Sequence, residues 1–291
     1  MEKVHLNIKF SNNDLEDYKK ELYGKLVNSP YFELLLNEGF TKEEIYKNIS
    51  KFYDYINDLK FIKKIKTYKD CVDNDKYDRL ILRKNGDLIE RDFVPLEPYK
   101  KHLDYLSKFI VKDFSSELYD ASFKKVRSGT KNLIKEKINS DKWVYLCGAL
   151  RSGRTYAIVS LINDKYIKTC NTIAFINCPK RFKELLDLYF NDKVYFNEIF
   201  DSYANADYLV LDDFGSEYKN EVFRDSILIP LLKSRILNNK ITSFTSDFTL
   251  KSIKELYSFS KSGSDIMFRQ FIALLENKID QEIITSKVSI Y

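Results

Sequence analysis

Between residues 143 and 276 the chain alternates short apolar runs with longer stretches of helical spacing, a rhythm that few folds accommodate. The runs are "WVYLCG" (143–148), "TIAFINC" (172–178), "YLVLDDFG" (208–215) and "ITSFTS" (241–246). Between them lie "TYAIVSLINDKYI", "RFKELLDLYF" and a helical stretch around 219–238, and further helices are expected around 249–257 and 264–276. Strands that are apolar on successive residues bury both faces. Strands separated by a helix's length pair in parallel through a crossover. The expected class is therefore α/β, a parallel sheet flanked by helices. On such sheets ligands bind at the carboxyl ends of the strands, and there the sequence places "GALRSGRT" and "DDFGSE".

The first third reads differently. Residues 13–60 have helical character, and in "TKEEIYKNISKFYDYI" Thr41 and Glu44 stand at capping-box spacing ahead of Ile45, Ile49, Phe52 and Ile56 on one face. In "RLILRKNGDLIERDFV" (79–94) two apolar runs flank Asn85-Gly86, a hairpin signal. "PLEP" (95–98) then interrupts regular structure. The expected organisation is a small, mostly helical domain at 1–95, a connection at 96–115 and the α/β domain at 116–291. With 44% hydrophobic and 31% charged residues in 291, and only 8 Gly and 5 Pro, the chain belongs to the folded soluble class rather than the disordered one. A net charge of +5 admits a nucleic-acid or acidic partner without demanding one. Cys71, Cys147, Cys170 and Cys178 show no C-x-x-C spacing, and His5 and His102 are the only histidines, so no structural zinc site is expected. The polar N-terminus, and the lack of any run of about 18 apolar residues, predict a cytoplasmic protein without a membrane partner.

"CGALRSGRTYA" (147–157) reads as a phosphate-cradling loop, G-x-x-x-x-G-K-[ST], with arginine in the lysine position. Gly148 and Gly153 hold the spacing that lets backbone N–H groups face phosphate oxygens, and Thr155 supplies a hydroxyl for Mg²⁺. The bland alternative is an ordinary strand–turn–helix corner. Asp212 and Asp213, ending an apolar strand, weigh against it: Asp212 is placed to bind Mg²⁺ and Asp213 to orient an attacking water. The implied ligands are ATP and Mg²⁺. Arg154 keeps the lysine's charge but is a bulkier planar fork, so it should disturb in-line geometry and slow hydrolysis more than it weakens binding.

Taken together, these motifs resemble the DnaI/DnaC group of bacterial replicative-helicase loaders, of the AAA+ class. "GRTYA" is similar to that family's "GKTYL", which adds Tyr156 to the nucleotide-binding set. "LVLDDFGSE" resembles "LDDIGAE", and "FRDSILIPLLKSRI" carries Arg224, Asp225 and Arg235 of a family helix. "SFTSDFTLKSIKEL" resembles the sensor-1 strand, and "SDIMFRQFIALL" the stretch bearing a trans-acting arginine finger. The resemblance thus assigns catalytic roles to Asp247 and Arg269 beside Asp213. Ile266, Met267, Ile272 and Leu275 are expected to face inward on the Arg269 helix. The departures are Arg154 for lysine, Asp247 for the sensor asparagine, Asp265 for an arginine, and the tail "ITSKVSIY" without an arginine-bearing end. A carboxylate at 247 would repel a γ-phosphate where an amide would donate.

The resemblance implies a loader in the primosome of DNA replication. It would deliver a hexameric replicative helicase with ATP binding as the switch and would self-associate in an ATP-dependent way. A non-hydrolysing AAA+ adaptor and a transposition-helper ATPase of the same clade are the alternatives. "FIKKIKTYK" (61–69) and "KKVRSGTKNLIKEKI" (124–138) offer cations, with Tyr68 for stacking, to single-stranded DNA; the bland reading is solvated helix faces.

Overall fold

The computed structural model describes residues 12–259 and 266–285, which divide into two compact units between Asp104 and Tyr105. In the first unit the expected helical stretch is four helices, Asn12–Val27, Pro30–Asn37, Lys42–Lys47 and Ile49–Ile62, followed by Tyr68–Asp73. Pro30 starts the second of them, and Gly39, at φ +88, reverses the chain after it. The Thr41 capping box is formed: Glu44 N donates to Thr41 Oγ1 (3.2 Å) and Thr41 N to Glu44 Oε2 (2.7 Å). Strands β1 (Asp78–Asn85) and β2 (Leu88–Pro95) form the expected hairpin, Asn85 pairing with Leu88 across Gly86. Leu80 and Ile89 pack with Ile45, Ile49, Phe52 and Ile56 in one core. Polar ties fix the hairpin on the helices: Leu80 N donates to Asp58 Oδ2 (2.8 Å), and Lys84 Nζ lies 2.8 Å from Glu44 Oε2.

The segment read as a connection, 96–115, carries a helix, Glu97–Ser107, and a strand, β3 (Phe109–Lys112). In the second unit β3 joins β4 (Val144–Gly148), β5 (Ile173–Asn177), β6 (Tyr208–Asp212), β7 (Ile241–Ser246) and β8 (Ile283–Thr285). The parallel sheet has the order β3-β5-β6-β7-β4-β8. Both faces are covered, and the pleat divides each of β4, β5 and β6 between two cores. Tyr145, Ala174, Ile176, Leu209 and Leu211 enter one; Val144, Leu146, Ile173, Phe175, Tyr208 and Val210 enter the other. After β4 the chain crosses to β5, two strands beyond its neighbour, then fills the gap with β6 and β7. The carboxyl ends of β4, β7 and β6 are thereby neighbours although their loops are far apart in sequence. Among the described residues no helix is long and apolar enough to cross a membrane.

Strand β7 is buried from Thr242 onward yet rich in hydroxyls. Thr242, Ser243, Thr245 and Ser246 are all at most 1% exposed. At its start Thr242 Oγ1 accepts from Arg235 Nε (2.8 Å), and Ser243 Oγ is bonded by the Tyr208 hydroxyl (2.7 Å). Arg235 itself is wholly buried. Its Nη1 donates to the carbonyls of Tyr203 (2.7 Å), Ala204 (3.2 Å) and Ala206 (2.9 Å), closing the end of helix Lys193–Asn205, and Nη2 donates to Ile241 O (2.5 Å). Burial pulls its pKa down to about 9, still charged at neutral pH. Arg235→Leu strands these acceptors and should cost about 3–5 kcal/mol in urea unfolding. Arg235→Lys, with charge but no fork, should recover only part of it. A loss under about 1 kcal/mol for the leucine variant would contradict this role.

Candidate functional site

Strand β4 ends in Gly148, and the loop after it re-enters helix Arg154–Leu161 through Gly153, whose φ of +84 favours glycine. Gly148 is required for a different reason. A Cβ there would lie 2.4 Å from both the carbonyl and the hydroxyl oxygen of Thr285 on β8. That hydroxyl also donates to Cys147 O (3.1 Å) and bonds Ser152 Oγ (2.6 Å), so the edge strand braces the loop.

Asp212 ends β6 and is buried. Its Oδ1 accepts from Thr155 Oγ1 (3.0 Å), on the helix after the loop, and from Thr245 Oγ1 (2.6 Å), on β7. Burial pushes its carboxyl up to about 6, against the lowering effect of the Thr245 bond. Asp213 follows in left-handed backbone, φ +57, held by Asp213 N donating to Thr245 Oγ1 (3.0 Å). Asn177 Nδ2, at the end of β5, donates to Asp213 Oδ2 (3.1 Å). The loop beyond is pinned by buried Glu217, which accepts from Gly215 N (2.8 Å) and from the Tyr257 hydroxyl.

Arg154 turns inward at the mouth of the loop. Its Nη1 donates to Gly148 O (2.5 Å) and to Ser246 O, and its Nη2 lies 2.5 Å from Asp247 Oδ1. Two departures read separately in the sequence are thus ion-paired with each other. The Arg154 side chain is 5% exposed and that of Asp247 43%.

Seven of the nine expected site residues are therefore brought together: Gly148, Gly153, Arg154 and Thr155 on the loop and helix start, Asp247 paired with Arg154, and Asp212, bonded by Thr155, with Asp213 next to it. Tyr156 is turned to the preceding segment, its hydroxyl 3.1 Å from Ser122 N. Arg269 is exposed on helix Ile266–Lys278. On that helix Leu275 is buried and Met267 and Ile272 are partly buried against the core, as expected, with Phe271 buried beside them; only Ile266 departs, being 71% exposed because five residues before Phe271 it falls on the opposite side of the helix. Asp265 and the tail from residue 286 lie outside the described residues.

Sequence reasoning missed Asn177, Thr245 and Thr285. The hydroxyl-rich "ITSFTS" was a signal for Thr245, since a buried strand does not carry hydroxyls without partners. Two residues offered to nucleic acid are used internally. The Tyr68 ring stacks on His102, centroids 3.5 Å apart, and Lys137 is buried in an ion pair with Asp280 (3.0 Å).

Chemically, a hydroxyl and a carboxylate oxygen 3.0 Å apart at a strand end suit a hard cation such as Mg²⁺. The glycine-bearing loop and helix start suit an anion. The guanidinium fits a phosphate less freely, since a carboxylate already holds it.

No family model matches the chain. It is 20% identical over 273 residues to the replicative helicase loader DnaI of Bacillus subtilis (strain 168), a match covering 86% of this chain and 85% of that protein. A crystal structure of DnaI superimposes with a TM-score of 0.50 at 20% identity, over 62% of this chain and 97% of that one. The chain is thus similar in sequence to a DnaI helicase loader over most of its length, and its fold is similar to that of DnaI.

Proposed function

We propose that this protein is a helicase loader of DNA replication. The first unit holds a hexameric replicative helicase, and the second binds Mg·ATP as the switch and hydrolyses it slowly. The observation that carries this reading is the extent of the DnaI match, 86% of this chain and 85% of the relative, which takes in both units.

In this reading the backbone N–H groups of the 148–154 loop and the helix start hold the phosphates, and Thr155 with Asp212 holds Mg²⁺. The cation neutralises charge on the phosphate oxygens when bound. Asp213, kept in place by Asn177 and Thr245, orients the attacking water. Arg269, exposed on its helix, reaches a neighbouring subunit's nucleotide, which couples assembly to nucleotide state. A non-hydrolysing adaptor is the second reading, favoured by the Arg154–Asp247 pair, because the loop cation is engaged by the protein's own carboxylate.

The test of the loader reading uses the full chain as bait for its cognate replicative helicase, followed by helicase loading on circular single-stranded DNA with and without ATP. Retention of the helicase and stimulated loading are expected. No retention at micromolar concentration would overturn the reading.

Asp212 yields a prediction with a defined pH window. Its carboxyl titrates near 6 in the fold and near 4 in an unfolded chain, by about the usual aspartate value. Between those values the folded chain keeps a proton that the unfolded chain has lost. The cost of the buried carboxylate is therefore absent below about pH 4, grows as the pH rises towards about 6, and is constant above. In the absence of Mg²⁺ and nucleotide, Asp212→Asn should be more stable than the parent by about 2–3 kcal/mol at pH 8, with the gain vanishing by about pH 4. The same variant should lose the Mg²⁺-dependent part of its nucleotide affinity. Unchanged melting at pH 8 would contradict the burial argument.

Arg269→Ala should leave the melting temperature and intrinsic ATP affinity unchanged while abolishing ATP-dependent self-association in sedimentation velocity. An oligomer unaltered by the substitution would show that Arg269 is not the finger.

A further inference from the structure

The pairing of Arg154 with Asp247 has a direct bearing on which nucleotide the site accepts. Arg154 is fixed through Nη1 by the carbonyls of Gly148 (2.5 Å) and Ser246, which leaves Nη2 for a further partner. That partner is the Asp247 carboxylate, 2.5 Å away and 43% exposed. A carboxylate at that distance puts an anionic oxygen on the guanidinium where a phosphoryl oxygen would otherwise bind. We infer that Asp247 occupies the place of a terminal phosphate, making the site selective for a nucleoside diphosphate over the triphosphate.

This inference rests on the nucleotide reading proposed above and adds a preference to it. A diphosphate needs only the loop's N–H groups and the helix start for its terminal phosphate, and it leaves the ion pair closed. A triphosphate brings further negative charge toward Asp247. It must either displace the carboxylate from Arg154 or stand beside it, and like charges a few ångströms apart disfavour both arrangements. The two carbonyls keep Arg154 in place when the carboxylate is removed. The selectivity therefore resides in Asp247 rather than in the arginine, which by itself would attract the third phosphate.

The experiment is calorimetric titration of the full chain with Mg·ADP and with a Mg-bound non-hydrolysable ATP analogue, for the parent, Asp247→Asn and Asp247→Glu. The parent should bind ADP about tenfold more tightly than the analogue. Asp247→Asn should erase or reverse that ratio, chiefly by gaining affinity for the analogue, with ADP changed by less than about threefold. Asp247→Glu retains a carboxylate within reach of Arg154 and should keep the preference for ADP. Equal or tighter binding of the analogue by the parent would overturn the inference while leaving the nucleotide site standing. So would an Asp247→Asn ratio equal to the parent's. Absence of binding by both ligands at millimolar concentration would remove the nucleotide site itself and the inference with it.

Discussion

Strand β7 runs through the middle of the second unit with four buried hydroxyls, and both the fold and the site hang on how they are satisfied. A buried hydroxyl without a partner costs on the order of 1–3 kcal/mol, so the strand can sit centrally only if its neighbours supply matching groups. At its start those groups are Arg235 and the Tyr208 hydroxyl, which tie a helix end and the adjacent strand to it. At its finish they are Asp212 and the backbone after β6. Thr245 holds the Asp212 carboxylate and the Asp213 amide, and Ser246 Oγ donates to Phe214 O (2.6 Å). One strand thereby sets the positions of both carboxylates proposed to serve the nucleotide.

The loop after β4 is held by the same strand from the other side. Ser246 offers its carbonyl to Arg154 while its hydroxyl fixes the β6 loop, and Asp247 follows directly. A lysine at 154 has a single ammonium and could not span two carbonyls and a carboxylate in this planar arrangement. A sensor residue without charge would leave the guanidinium's outer face open. Arginine and aspartate at these two positions are therefore physically matched, and the second departure explains how the first is accommodated.

How legible was this in the sequence? The α/β class was readable because each of β4, β5 and β6 is apolar on both pleat faces. The hairpin was readable from Asn85-Gly86 and the helix start from Thr41 and Glu44, since these are local rules written in a few neighbouring residues. Strands β3 and β8 were not, being four and three residues long and stabilised only by pairing at the two sheet edges. Thr285 belongs to one of them, so its brace on Gly148 was invisible too. The Arg154–Asp247 pair was hidden for a related reason. Each residue was recognisable as a departure, but their contact depends on β4 and β7 being sheet neighbours, which spacing alone does not reveal. The stacking of Tyr68 on His102 is another long-range contact of this kind.

The central claim is that Arg154 and Asp247 act as one unit in deciding how the loop receives a phosphate. A double-mutant cycle on Mg·nucleotide affinity, using Arg154→Lys, Asp247→Asn and the two combined, addresses it most directly. A coupled pair predicts non-additivity of at least about 1 kcal/mol, with the combined variant binding the triphosphate better than the single effects would sum to. Effects that add within about 0.3 kcal/mol would show that the two residues act independently and would contradict the account.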